Sequence, residues 1–328
     1  MITKVCIVNN LYALLIYLLL HNKQDAIDNT FYIFEENIPD DITRHFKHEK
    51  VQCPHSKLKK IFYILYLHYL KRWPFKHSKV EFWGQDNITI TSPIIKKTSI
   101  KILEDGVLNY TYKPTNKSHK ILRKFIGGPL SSQSILGYSD NVSEIYLTGL
   151  SKIPKGIEGK TRIINLNECW NKCDYISTIL QVFSISNDLL HDISSYNNLL
   201  LTQPLSEDGF ITELEKIKIY RTLVKDIDND TLLIKPHPRE TTDYQRYFRN
   251  SYIFKHKIPM ELLTLLNIKF NNIYTVFSTA AINFHYKTNI HFAGTRVHQN
   301  LINEFGDIEF SHGVIKTSKS STPTKSYK

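Results

Sequence analysis

His237 stands between two prolines in the string Ile234-Lys235-Pro236-His237-Pro238-Arg239-Glu240. Each proline fixes its own φ at about −65° and biases the residue before it toward extended geometry. The imidazole is therefore carried on a stiff backbone. Lys235 and Arg239 flank it with charge that suits a phosphate. An imidazole exchanges protons near neutral pH, which fits it for acid or base work. A surface turn that happens to hold a histidine has the same residue types. Two further strings, Glu104-Asp105-Gly106 and Glu207-Asp208-Gly209, set paired carboxylates before a glycine. A positioned carboxylate can take a proton in a transition state, although strands also end in plain Asp-Gly turns. Ser278-Thr279 precedes Ala280-Ala281 at a helix start, where hydroxyls and unpaired N–H groups could receive an anion. A simple Ser/Thr cap reads the same way.

These residues need elements to hold them, and most of them follow short apolar runs. Leu232-Leu233-Ile234 leads into His237, and Ser99-Ile100-Lys101-Ile102-Leu103 leads into Glu104. Asn272-Ile273-Tyr274-Thr275-Val276-Phe277 delivers Ser278. Continuous apolar runs of this length read as strands buried on both faces. Further strands are expected at Lys4-Val5-Cys6-Ile7-Val8, Phe31-Tyr32-Ile33-Phe34, Val80 to Gly84, Glu144 to Leu147 and within Asn198 to Pro204, with Ile290 to Gly294 as the last clear one. Helical stretches lie between them. One begins at Leu11, another falls within 165–186, and a third opens at Thr212 with acids in its first turn, as the helix dipole favours. A fourth starts at Pro259-Met260-Glu261. Residues 113–123 read as a basic loop, and Gly127-Gly128-Pro129 as a break. Residues 317–328 read as a frayed tail.

The alternation of strand and helix occurs twice. It predicts an α/β protein of two Rossmann-like, doubly wound domains facing each other across a cleft. Pro154, Gly156 and Gly159 place the crossing near the middle, giving domains of residues 1–155 and 156–328. The opening strand–helix unit lacks a G-x-G-x-x-G fingerprint, so it does not indicate a dinucleotide.

The chain has 328 residues and a formal net charge of +11. That surplus implies anionic partners and does not choose among them. Four scattered cysteines exclude a disulfide scaffold. Cys169 and Cys173 lack a second Cys/His pair of zinc spacing, so a thiol pair is expected there. The ten-residue apolar run from Leu11 to Leu20 is too short to span a bilayer. A cytoplasmic protein is expected, with peripheral contact at the membrane's inner face left open. Residues 57–79 carry that possibility. Lysines and Arg72 bracket an apolar, tyrosine-rich run, which reads either as a buried helix with solvated ends or as a membrane or partner surface.

Three strings in fixed order, Glu104-Asp105-Gly106, His237-Pro238 and Ser278-Thr279, resemble the acid-acid-glycine, His-Pro and Ser-Ser/Thr motifs of bacterial sialyltransferases. The extended string around His237, with Thr202-Gln203-Pro204-Leu205 upstream, is most similar to glycosyltransferase family 52, which includes lipooligosaccharide and capsule sialyltransferases. The resemblance covers residues 200–295 well and the first half mainly through its one motif. It implies a GT-B-like, inverting, metal-independent transferase with no cofactor. The donor would be CMP-sialic acid, bound by the second domain. The acceptor would be a terminal galactose-type sugar of a glycan or glycolipid, bound by the first. A homodimer is compatible with the resemblance.

By the same resemblance, Asp105 is the expected base and His237 the acid toward the leaving phosphate. Lys235, Pro238, Arg239, Glu261, Ser278 and Thr279 are the expected donor-binding residues, with Glu261 on the cytidine ribose. Asp208 is the alternative base. Asp105 is preferred because domain closure could bring it to His237 from the other half. Two other readings stand beside this one. The first is another sugar transferase on the same scaffold, such as a glucosyltransferase. The second is a basic nucleic-acid or membrane-binding module, although no recognition helix, zinc finger or RNP string is present and no nucleic-acid partner is expected.

Overall fold

A computed structural model describes residues 1–54, 56–75, 79–88, 90–95, 98–106, 108–111, 135–284, 288–311 and 314–318. The expected loop at 113–123, the break at 127–129 and the tail from 319 onward lie outside these residues.

The chain forms two compact units, Met1–Ser184 and Ile185–Lys328. The first is built on a seven-stranded parallel sheet of order β3-β2-β1-β4-β5-β6-β7. Its strands are β1 Lys4–Val8, β2 Thr30–Glu35, β3 His48–Val51, β4 Glu81–Gly84, β5 Ile100–Leu103, β6 Val142–Leu147 and β7 Thr161–Ile163. Val5, Ile7, Ile33, Ile102 and Ile145 form the centre of its core. The helix Leu11–Leu20 is apolar almost all round, so it is buried almost all round. Asn10 caps it by accepting the Ala13 N–H at 2.8 Å.

The second unit holds a five-stranded parallel sheet of order β10-β9-β8-β11-β12. Its strands are β8 Asn198–Leu201, β9 Leu232–Lys235, β10 Tyr252–Ile253, β11 Asn272–Thr275 and β12 Asn289–Phe292. Central β8 and β9 are buried along their whole length, which is why they read as unbroken apolar runs. The helix Glu213–Leu223 packs Ile217 and Tyr220 into this core. It opens with a full capping box between Thr212 and Glu215.

The structure corrects several expectations. The division falls at Ser184/Ile185, beyond the 155/156 crossing read from the sequence. The Pro-Gly-rich stretch around 154–159 is a turn within one sheet, joining β6 to its neighbour β7. Beyond it, the Tyr175 hydroxyl donates to the Leu18 carbonyl, tying this segment to the first unit. The helical stretch within 165–186 resolves into Leu166–Lys172 and Ile176–Val182, with Asn187–Ser194 following. β12 is not the last strand. Two further strands, β13 Asp307–Ser311 and β14 Val314–Ser318, form an antiparallel hairpin, so residues 317–318 of the expected tail are paired strand. Among the described residues no helix is long and apolar enough to cross a membrane.

Candidate functional sites at two sheet ends

In the first sheet the chain runs outward from β1 through β2 to β3, then returns to add β4 on the other side of β1. The reversal between β1 and β4 is the topological switch point, beyond whose carboxyl ends ligands bind in open α/β sheets. Asp105 sits there. It follows the end of β5, and its carboxylate reaches back across β4 to the end of β1. Oδ1 accepts from the side-chain amides of Asn10, just past β1, and of Gln85, just past β4, the latter at 2.7 Å. Oδ2 accepts from the Asn87 amide at 2.5 Å. The Asp105 backbone N–H is fixed by Asn109 Oδ1 at 2.6 Å. Gly106 supplies the left-handed φ of +72° that turns the chain immediately afterwards.

Burial pushes the Asp105 carboxyl above its ordinary value, against the opposing pull of the Asn87, Gln85 and Asn10 hydrogen bonds. The result is an oriented carboxylate with raised proton affinity. Three amide bonds leave part of its acceptor capacity for one more donor.

Its neighbour Glu104 has a different task. It is fully buried. It accepts from the Tyr110 hydroxyl at 3.2 Å, from the Thr148 hydroxyl at 2.8 Å and from the Thr148 N–H. Thr148 directly follows β6, so Glu104 ties the ends of β5 and β6 together. Asp86, which the sequence reading did not single out, is buried and accepts the N–H groups of Leu136 and Gly137 at 2.7 and 2.9 Å. Burial pushes its carboxyl up to about 6 despite those bonds.

The second sheet has its switch point between β8 and β11. His237 follows β9, and Ser278 lies just past β11. Gln203, past β8, links the ends of the two central strands by accepting the Phe277 N–H at 2.9 Å. The proline-flanked turn is held from within by Glu240. Its Oε2 accepts the His237 N–H at 2.6 Å and the Thr202 hydroxyl. Its Oε1 accepts the Tyr244 hydroxyl at 2.5 Å and the Lys216 ammonium at 3.2 Å. Lys216 is fully buried and also bonds Glu207 at 2.8 and 3.0 Å. Burial alone would raise the Glu207 carboxyl, but the Lys216 and Thr241 hydrogen bonds outweigh it and bring it down to about 2.

His237 Nδ1 accepts the Arg239 backbone N–H at 3.2 Å. A neutral imidazole that accepts at Nδ1 carries its proton on Nε2. Neutrality is favoured: burial, with the nearby charges of Arg239 and Lys235, lowers His237 to about 4, against the weaker pull of Asp208 and Glu207. The neutral ring therefore has its N–H donor at Nε2, and an added anion would raise the group's proton affinity.

The remaining expected residues divide. Arg239 forms a two-pronged pair with Asp208, at 2.6 and 3.1 Å. The second Glu-Asp-Gly is thus spoken for: Glu207 by Lys216, Asp208 by Arg239. Lys235 is buried under β9's end, and its ammonium donates to the His256 carbonyl at 3.2 Å. Burial lowers it to about 8, opposed by the charges of Glu240 and Glu261. Glu261 lies in the first turn of the helix Met260–Leu265, close enough for that charge to be felt. Pro238 follows His237 in the same turn. The Ser278 N–H donates to Thr275 Oγ1 at 3.1 Å. Thr279 opens the helix start read from the sequence, which is a six-residue 3-10 helix. Cys169 and Cys173 are free thiols, half-buried, in the first unit.

Sequence reasoning missed Asn10, Gln85, Asn87 and Glu240 as holders of the two candidate groups. Only Glu240, three residues from His237, lay within reach of a local reading.

The family model of glycosyltransferase family 52 matches residues 27–301. An uncharacterized protein of Haemophilus influenzae is 35% identical over 317 residues, covering 93% of this chain and 99% of its own length. Among solved structures, the alpha/beta-galactoside alpha-2,3-sialyltransferase of Photobacterium phosphoreum superposes with a TM-score of 0.55 at 12% identity, covering 88% of this chain and 89% of its own. The GT-B domain of a Photobacterium damselae sialyltransferase gives 0.52 at 11%, covering 88% and 90%. At such identities these two likenesses establish the fold alone, the GT-B fold with its two Rossmann-like domains. The match of family model to sequence over most of the chain goes further, and by it this chain belongs to glycosyltransferase family 52.

Proposed function

We propose that this glycosyltransferase moves sialic acid from CMP-sialic acid to a terminal galactose-type sugar of a lipooligosaccharide or capsular glycan, with inversion and without a metal ion. The observation that carries the reading is the state of His237. Its backbone is pinned by Glu240, and its Nδ1 accepts the Arg239 N–H, which puts the proton of the neutral ring on Nε2 in a half-buried side chain just past β9. That arrangement suits a phosphate leaving group.

The acceptor hydroxyl oxygen forms a bond to the anomeric carbon while the bond from that carbon to the CMP phosphate oxygen breaks. Asp105 takes the hydroxyl proton, and its burial-raised proton affinity favours the transfer. His237 donates its Nε2 hydrogen bond to the phosphate as negative charge grows there. A donor aimed at developing charge is often the largest catalytic contribution. As the phosphate charge raises the imidazole's proton affinity, His237 can also deliver a proton. Ser278 and Thr279 are assigned to the same phosphate, and Glu261 to the ribose. In this reading Arg239 and Lys235 act through the turn and its field, since the first is paired with Asp208 and the second is buried.

The test is incubation with CMP-sialic acid and a lactose-type acceptor, with and without chelator, following CMP release and product mass. Sialylated product of equal yield in both arms is expected. Stabilisation by UDP but not CMP in thermal melts would reassign the donor, because the ligand that binds the native state raises its melting point.

A further inference from the structure

We infer that Asp86 is a positioning residue for Asp105: its carboxylate fixes the strip Gln85-Asp86-Asn87, so that the amides on either side of it meet the Asp105 carboxylate. The three residues follow the end of β4. Gln85 and Asn87 donate to different oxygens of Asp105, at 2.7 and 2.5 Å. Asp86, between them, turns to another part of the chain. Its Oδ1 accepts the Leu136 N–H at 2.7 Å, and its Oδ2 accepts the Gly137 N–H at 2.9 Å. Both of those residues have a left-handed φ, +56° and +91°. Successive N–H groups in such a turn converge and form a cradle for an anion. Gly137 in turn lies close on the sheet: a β-carbon there would stand 2.2 Å from Cδ1 of Ile145, a core side chain of β6. The strip beyond β4 is thereby fastened to the packing around β6.

The two amides depend on that fastening unequally. Gln85 has anchors of its own. Its N–H donates to the Ile7 carbonyl at 3.1 Å, its carbonyl accepts the Thr91 hydroxyl at 2.6 Å, and its Oε1 accepts the Asn9 N–H at 3.0 Å. Asn87 lacks such support at the other end of its amide. Its Oδ1 is buried without a hydrogen-bond partner among the described residues. The Asn87 amide is therefore directed by its bond to Asp105 and by the backbone that Asp86 holds. Burying a charge at position 86 is costly, and a neutral side chain would avoid that cost. A carboxylate, however, takes two converging N–H donors at once, one on each oxygen. An asparagine of the same size has one acceptor oxygen and would set its NH2 against the second N–H.

This inference rests on Asp105 being the base, and the experiment separates the two assignments. Steady-state rates are measured on the full chain, Asp86→Asn, Asp105→Asn and the double variant, with whichever of CMP-sialic acid and UDP-glucose the parent turns over. Asp86→Asn should lower kcat by about tenfold to a hundredfold, the cost of a misplaced catalytic group. KM for donor and acceptor should stay within about twofold of the parent, since no substrate contact is removed. Added to Asp105→Asn, the substitution should cost nothing further, because a residue acting through Asp105 has nothing left to position. Losses that multiply in the double variant overturn the inference and leave the base assignment standing. An unchanged rate in Asp105→Asn removes the base assignment and the inference with it. A crystal structure of Asp86→Asn reads the same point without substrate: Asn87 Nδ2 should lie beyond hydrogen-bond reach of Asp105, and an unmoved amide overturns the inference. Should Asp86→Asn fail to fold, Asn87→Ala at a half-buried position decides instead. It should lose kcat to a similar extent and add nothing to Asp105→Asn, and a kcat within about twofold of the parent overturns the inference.

Discussion

Glu240 holds the backbone of His237: its Oε2 accepts the His237 N–H at 2.6 Å, and its other oxygen meets the buried Lys216 ammonium at 3.2 Å. The stiffness that two prolines give locally is thereby anchored to the core of the second unit. The same carboxylate receives the Tyr244 hydroxyl, so one residue couples the turn to a buried polar network. Low local dielectric makes such a network costly to break in part.

Glu240→Ala should lower stability by about 3–5 kcal/mol, since it leaves a buried ammonium with one carboxylate fewer. Urea denaturation would show this as a lower midpoint with a similar slope. Transfer activity should fall as well, because the His237 N–H loses its acceptor. A midpoint within experimental error of the parent would show that the network is not a structural anchor.

Asp105→Asn should lower the rate of transfer by about 10²–10⁴-fold while leaving the fold intact. Asp208→Asn breaks an exposed ion pair with Arg239, for which stability changes stay within about 1 kcal/mol, and should leave the rate within about threefold of the parent. Steady-state kinetics on both variants separates the two acidic strings. If the losses were exchanged between them, the base would belong to the second Glu-Asp-Gly.

His237 titrates at about 4 in the folded chain, below its ordinary 6.5. Between these values the unfolded chain binds the proton and the folded chain does not. Its contribution is thus fully present above about pH 6.5 and is lost as pH falls toward 4. Denaturation of the parent and of His237→Gln across that range should show the parent losing more stability on acidification. Bound CMP should move the His237 ring titration upward in NMR spectra, because a phosphate favours the charged form. A ring that titrates near 6.5 with and without CMP would contradict both the buried environment and the phosphate contact.

Gly84 closes the approach between β4 and β1. Its φ is +130°, and a β-carbon there would stand 1.9 Å from the Ile7 carbonyl oxygen. Gly84→Ala should cost about 3 kcal/mol or more. It should also disturb Asp105, whose Gln85 partner is the next residue. Thermal melts measure the first effect, and activity at a permissive temperature the second. An unshifted melting temperature would mean that the two strands can separate freely at this point.

The strands that carry the candidate groups were legible in the sequence. Strands buried on both faces of a parallel sheet are apolar along most of their length, so Leu232 to Ile234 and Ile273 to Thr275 announced themselves, as did Ile100 to Leu103 despite the half-buried Lys101. The edge strand β3, His48–Val51, gave no such signal, because its His-Glu-Lys positions are only half-buried. The unit boundary was misplaced for a related reason. Pro154 and Gly156 mark a turn, and a turn inside a sheet uses the same residues as a turn between domains.

Local strings alone showed which residue types could do chemistry and that Asp105, His237 and Ser278 each lie past a strand's carboxyl end. How each carboxylate is held is visible only in the folded chain. Asp105 and Asp208 sit in identical tripeptides, yet one is oriented by three amides and the other is neutralised by a guanidinium. The amide donors Asn10, Gln85 and Asn87 lie 95, 20 and 18 residues from Asp105 along the chain. They meet because strand order places β1 and β4 side by side at the switch point. Long-range pairing of that kind is set by the packing of whole strands and leaves no mark in the residues it brings together.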